Sequence, residues 1–476
     1  MPFLRLFIFS FLLLPVTSHA DNNLPIFGDT TSGIISLSKE HELGQAWARS
    51  LRGSAKLLDD PITYSYLNDL LWKLASHSQL QDRRLDLIVL DNPTLNAFAV
   101  PGGIIGIHGG LILSADNEDE LASVVAHELA HLSQRHFASQ LEEARRNRPF
   151  TLAALLASIL VASADGQAGA AAISTTIASQ QSAALAFSRQ NEQEADRVGM
   201  QTLVNAGIDP EAMPRMFSRL LRSQRFDQNR LPEFLLTHPV SESRIADALN
   251  RSAQLPDQPA SKNSKEYEII RTRMTVHFAK SPQDSYAFYR QAVDASPTPT
   301  ALYGLALSSI ETNRYQEAHQ ALKQLPYDWQ SMLYIKLTVA EIYLAQQNWQ
   351  TAVESLQALN ELYPYTYTVE KLLSKALMAQ GQPAQAIRVM NNIKRDYPKD
   401  VDNWYLLAEA YGQNNERMNV HLTRIEYFLL TGQTDRANQQ ITFARREKNQ
   451  SQYEIARLDQ LEQETKAVRD AMKMDI

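Results

Sequence analysis

The 476-residue chain has no cysteine. Thiolate chemistry and disulfide cross-links are therefore excluded, and stability must come from packed cores. Positive charge is also short: 46 Lys and Arg stand against 53 Asp and Glu, net -7, which leaves no basic surplus for nucleic acid. No apolar run is long enough to span a bilayer comfortably. The two strongest, Leu6 to Val16 and Leu152 to Val161, both fall short of a spanning helix.

The first of those runs belongs to "MPFLRLFIFSFLLLPVTSHA", with a positive charge at Arg5 and a small-x-small ending at Ser18 and Ala20. This is the form of a secretory signal peptide over 1–20, cleaved before Asp21; a retained anchor shares the form. An exported chain without cysteine suits a bacterial periplasm better than the open extracellular medium.

What is present is ordinary for a globular protein, 44% hydrophobic and 21% charged, and too long for one core. Residues 38–80 carry apolar positions at three-to-four spacing and read as helical. Leu85 to Leu90 and Gly103 to His108 read as short strands, separated by turn residues, and helix resumes at about Glu118. The first part, 21–250, is thus an α+β domain, mostly helical with a small sheet. Within it, 150–187 is Ala-rich and almost uncharged, either a buried helical hairpin or a flap that contacts a membrane peripherally. Residues 251–265, polar and Pro-containing, are the linker candidate.

From 266 to 476 the chain repeats. Ala318, Ala352 and Ala386 are 34 residues apart, as are Pro364 and Pro398, and "DNWYLLAEAYG" supplies part of a fourth copy. A small residue at that period lets paired helices touch, and the pattern resembles the tetratricopeptide repeat, an all-α solenoid. Register is expected to fail after Tyr411, with Ala437, Ile441 and Ala444 forming a second-helix pattern out of phase.

"VVAHELAHLSQRH" raises the chemistry. On a helix His127 and His131, four apart, project from one face and can share one zinc ion. Glu128 beside them can act as general base on water at that metal. His136, nine residues after His127, lies about half a helical circuit away from it and is not a ligand; Gln134 and Phe137 stand where a metzincin would need glycine and histidine. "SRQNEQEADRVGM" can complete the set: Glu192 as carboxylate ligand and Asp196, four further on, as the acceptor that orients a histidine. Glu194 points to another face and is less favoured.

HELAH, "NAFAVPGG" with its following strand, "NEQEAD" and "THPVSESRI", in that order, resemble the zinc metallopeptidase family containing HtpX and the CAAX prenyl protease. The resemblance implies a zincin-like fold, one Zn2+ per chain on His127, His131 and Glu192, Glu128 as base and Asp196 behind the ligands. It also implies that Gly103, Ile104, Ile105, Gly106, Ile107 and His108 form an edge strand on which an extended substrate is laid. With the leader and repeats added, it implies a periplasmic endopeptidase whose clients are outer-membrane β-barrel proteins and whose partner is their assembly machinery.

His238 and Arg244, in "LLTHPVSESRIADAL", are candidate donors to the oxyanion of a peptide carbonyl under attack. His238 has a second candidate use as a fourth metal ligand that holds the enzyme latent. The other reading of the whole chain is a chaperone or scaffold with a vestigial or plugged metal site, against which Glu128 and Glu192 are both intact.

Overall fold

The structure, a computed structural model, describes residues 36–139, 188–226, 233–256 and 264–473. The signal-peptide expectation and the Ala-rich hairpin lie outside the described residues. Among those described, no helix is long and apolar enough to cross a membrane.

The chain opens with α1 (Leu37–Ser54) and α2 (Pro61–Ser76). Both have a side-chain cap: Ser36 accepts from the Lys39 N–H, and Asp60 from the Ile62 N–H, with Pro61 at the first turn where its missing donor costs nothing. Three short strands follow, β1 (Asp86–Leu90), β2 (Ala97–Val100) and β3 (Ile104–His108), then α3 (Gly109–Ser114) and α4 (Glu118–Ser133). Gly102 and Gly103, both at positive φ (83° and 85°), make the tight β2–β3 connection that a side chain would strain. In the sheet the order is β1-β3-β2, with β3 parallel to β1 and antiparallel to β2.

That order corrects an expectation. In the 103–108 stretch, Ile104–His108 is the central strand, hydrogen-bonded on both sides and buried throughout, so it has no free edge for a substrate. The edge on that side of the sheet is β2, a strand that the Pro101–Gly103 break hid.

Helix α4 is the HELAH helix. Its N-cap Asn117 accepts from the Glu120 N–H at 2.9 Å, and Glu118, Asp119 and Glu120 complement the dipole in its first turn. After the undescribed segment come α5 (Arg189–Asn205), α6 (Ala212–Phe226), α7 (Glu233–Thr237) and α8 (Glu242–Ser252). Small residues let α5 close on α4. Ala130 and Ala195 pack with Val198, and a Cβ at Gly199 would stand 3.3 Å from the main chain of Ala126.

Thirteen further helices complete the described chain: α9 (Lys265–His277), α10 (Pro282–Ala295), α11 (Pro299–Glu311), α12 (Tyr315–Lys323), α13 (Tyr327–Gln330), α14 (Leu333–Ala345), α15 (Trp349–Leu362), α16 (Tyr367–Ala379), α17 (Pro383–Asp396), α18 (Val401–Gln413), α19 (Arg417–Leu430), α20 (Thr434–Ala444) and α21 (Gln452–Lys473). Ala318, Ala352 and Ala386 are fully buried on the second helix of three successive pairs. The turn inside each pair holds one left-handed residue, and these recur every 34 residues at Asn313, Gln347, Gly381, Asn415 and Asn449. The period therefore survives past Tyr411. Helix α20, expected as a second helix, is the first helix of the next pair, with α21 as its partner.

The repeats do not hang free. In α9, Tyr267 is fully buried and its hydroxyl donates to the carbonyls of Ile112 (3.1 Å) and Ala115 (2.8 Å) of the first part. Arg273 bridges Asp60 at the α2 cap and Glu341 on α14, at 2.8–3.0 Å. One apolar core runs from α2 and α4 through Tyr267 into the repeats as far as Ala410.

Candidate metal centre and active site

Helical spacing places His127 and His131 on one face of α4, and the close α4–α5 packing presents Glu192 to them. The loop between α7 and α8 adds His238. Each of these four residues offers a ligand atom within 4.8 Å of the others, and all four are buried. The Nε2 atoms of His127 and His131 are 3.1 Å apart. Glu192 Oε1 lies 3.4 Å from His131 Nε2 and 3.0 Å from His238 Nδ1, and Glu192 Oε2 lies 3.5 Å from His127 Nε2. Three imidazole nitrogens and a carboxylate oxygen converging out of water fit a divalent metal; a purely hydrogen-bonded core has no use for two Nε2 atoms facing each other.

The surrounding groups fix that set. Asp196 Oδ1 stands 3.1 Å from His127 Nδ1, which directs the other ring nitrogen at the ligand point. Arg244 grips both oxygens of Asp196 (2.8 and 2.7 Å) and also reaches Glu192 Oε2 and the carbonyl of Pro239, each at 2.7 Å. Four donor contacts are thus spent behind the ligands. The oxyanion role expected of Arg244 gives way to holding Glu192 and Asp196. The guanidinium also lies over the Phe217 ring, 4.9 Å from its centroid.

Charge is strongly coupled here. Burial disfavours a charged His127, yet hydrogen bonds and charge from Asp196 and Glu192 overcome it and lift the imidazole to about 9. Burial would likewise raise Glu192, but the histidines, His238 foremost, hold it well below the usual carboxylate range. His131 is pushed well down, mainly by burial, with Glu192 opposing.

Glu128 is buried beside the set. Burial raises its affinity for a proton, the direction a general base needs, while His238 and His127 pull the other way. One of its oxygens has no hydrogen-bond partner, and the carboxylate accepts from the Ala99 N–H of β2. His238 Nε2 is 3.5 Å from Glu128 Oε1, so His238 stands between base and ligand point.

Two features escaped the sequence. One is β2: the His108 N–H donates to Asn96 O at 3.0 Å, so in this antiparallel pair Ala97 and Ala99 aim their main-chain groups away from β3. The other is His136. Helix α4 stops at Ser133, Arg135 turns left-handed (φ 53°), and the redirected chain lays His136 Nδ1 3.0 Å from His131 Nδ1. The expected half-circuit separation assumed an unbroken helix. Glu194, on the next face of α5, meets His136 Nε2 at 3.3 Å. This hydrogen bond outweighs burial and holds the Glu194 carboxyl below its ordinary range.

An HExxH helix on a small sheet, a carboxylate donor from a second helix and a trailing solenoid define a metallopeptidase with tetratricopeptide repeats. The model of peptidase family M48 matches residues 61–252, and that of a tetratricopeptide repeat matches 343–411. The β-barrel assembly-enhancing protease of Escherichia coli (strain K12) is 34% identical over 461 residues, covering 94% of this chain and 93% of the relative. That of Yersinia pestis is 32% identical over 88% of this chain and 86% of its own length. The chain belongs to this family of β-barrel assembly-enhancing proteases. A more distant likeness, 31% over 186 residues, covers 38% of this chain and 51% of the mitochondrial metalloendopeptidase OMA1 of Schizosaccharomyces pombe.

Proposed function

We propose that this metalloendopeptidase is a periplasmic zinc enzyme, with one Zn2+ per chain, that acts on outer-membrane β-barrel proteins during their assembly and degrades stalled or misassembled chains. The observation that carries the reading is the buried convergence of His127, His131, Glu192 and His238 beside Glu128. Nitrogen and carboxylate donors in a four-membered set suit zinc. When bound, the ion supplies Lewis acidity toward water and the scissile carbonyl. Glu128, buried beside the ligand set, takes the proton from the attacking water. Asp196 and Arg244 keep His127 and Glu192 aimed. The name of the relatives, β-barrel assembly-enhancing protease, supports the client class, and the repeats support a protein partner, for which the assembly machinery is our reading.

An extended substrate strand is best accommodated along β2, where the main-chain groups of Ala97 and the Ala99 carbonyl face outward on the Glu128 side of the sheet, the Ala99 N–H being taken by Glu128. His238 is the fourth ligand of a latent form: its Nδ1 is 3.0 Å from Glu192 Oε1 and 3.4 Å from His127 Nε2. A chaperone-like activity of the repeats is compatible with this. Casein digestion by Glu128→Gln beside the native chain, with chelator and zinc added back, tests the reading. Loss of the general base should cost about 10²–10⁴-fold, and equal activity in both proteins would remove the enzymatic assignment.

A further inference from the structure

His131 has two ring nitrogens, and the site uses both. Nε2 faces His127 and Glu192, at 3.1 and 3.4 Å, so in the metal-bound state it must offer a lone pair. Nδ1 then carries the proton and donates it to His136 Nδ1, 3.0 Å away. With Nδ1 accepting, His136 holds its own proton on Nε2, which points at Glu194 Oε2 at 3.3 Å. These two contacts are satisfied together by one pair of tautomers, His131 protonated on Nδ1 and His136 on Nε2. His127 is oriented by a carboxylate directly, through Asp196; His131 reaches its carboxylate through an intervening histidine.

The backbone is built for this contact. Arg135 adopts a left-handed conformation that a side chain disfavours, and Glu40 of α1 holds it with contacts at 3.0 and 2.5 Å. His136 is 3% exposed, so the relay runs inside the protein. Glu194, at its outer end, is more exposed.

We propose that His136 and Glu194 are positioning residues for the metal site, forming a His131–His136–Glu194 relay that fixes the tautomer and orientation of His131 and strengthens it as a ligand. The inference rests on the metallopeptidase reading above. A carboxylate acting through a histidine has a signature that simple packing lacks: removing Glu194 matters only while His136 is present to transmit it.

The test is zinc affinity of the full-length protein by competition with a chromophoric chelator, with folding checked by circular dichroism. His136→Leu should weaken zinc by about 10–100-fold, the usual consequence of losing an outer partner of a metal ligand. Glu194→Gln should weaken it in the same direction by a smaller factor, and should add less than about twofold in the His136→Leu background. His136→Asn, whose amide oxygen can accept from His131 Nδ1, should recover part of the loss. In ¹⁵N spectra of the zinc form, His131 should show a protonated Nδ1. Unchanged affinity in folded His136→Leu overturns the relay, as does a Glu194→Gln effect of equal size in both backgrounds. If His136→Leu fails to fold, Glu194→Gln decides alone: native affinity sinks the proposal. A native chain that takes up no zinc would sink the metal reading itself, a distinguishable result.

Discussion

At the scale of single residues, the site is a competition between burial and neighbouring charge, and two substitutions read it out. His238→Ala removes the nitrogen that stands between Glu128 and the ligand point, so casein turnover should rise while zinc affinity falls, both measurable on one preparation. An unchanged rate would count against the latent form. His108 reports burial without any ligand role: it is fully buried on β3, and burial lowers it to about 4 from its ordinary 6.5. The fold thus favours the neutral ring. Its contribution is present above pH 6.5 and is lost as pH falls from 6.5 toward 4, amounting to roughly 3 kcal/mol at most. Urea melts between pH 7 and 4.5 should show a smaller acid loss in His108→Gln than in the native chain. Legibility at this scale followed locality. His127 with His131, and Glu192 with Asp196, could be paired from spacing because four residues on a helix is a fixed geometry. His136 could not, because its place depends on a left-handed arginine, a residue type that carries no signal for that conformation.

At the scale of elements, the sheet decides where a substrate can lie. Strand order is set by non-local pairing, which periodicity does not encode, and the edge position that the family resemblance implies for 103–108 belongs instead to β2, with β3 at the centre. Because side chains and main-chain groups alternate along β2, substrate recognition should alternate too. Peptides N-methylated at every second residue in one phase should show a raised KM. The same peptides methylated in the other phase should be close to the parent, with kcat little changed in both. Equal effects in the two phases would exclude strand pairing. The α4–α5 contact shows the opposite case. The shared ligand set already brings Glu192 and Asp196 of one helix to His127 and His131 of the other, and the small residues Ala130, Ala195 and Gly199 are what let the two helices close.

At the scale of the whole molecule, protease and repeats share one core, and their junction is ionic as well as apolar. Arg273 is bonded to Asp60 on one side and to Glu341 on the other, so Arg273→Met leaves two carboxylates without their cation. Breaking a buried pair in this way costs about 3–5 kcal/mol. Calorimetry should show a lowered single transition, whereas separate melting of the two parts would contradict the shared core. The 34-residue period announced the solenoid through the spacing of its alanines and prolines, and its continuation to Asn449 was hidden because the left-handed turn residues are mostly Asn and Gln where glycine marks such turns best.

The solenoid also returns to where the chain began. A Cβ at Gly53 of α1 would stand 2.3 Å from the Thr431 carbonyl after α19, while α9 is anchored at the other end through Tyr267. Between these two moorings the repeats and α2 and β1 enclose a cleft of about 710 Å³, faced by Trp72, Tyr365 and Tyr405. A spiral tethered at one end can widen by flexing; one tethered at both behaves as a calliper locked at a single gauge. That gauge is fixed by both moorings together, Gly53 against Thr431 and Tyr267 against Ile112 and Ala115.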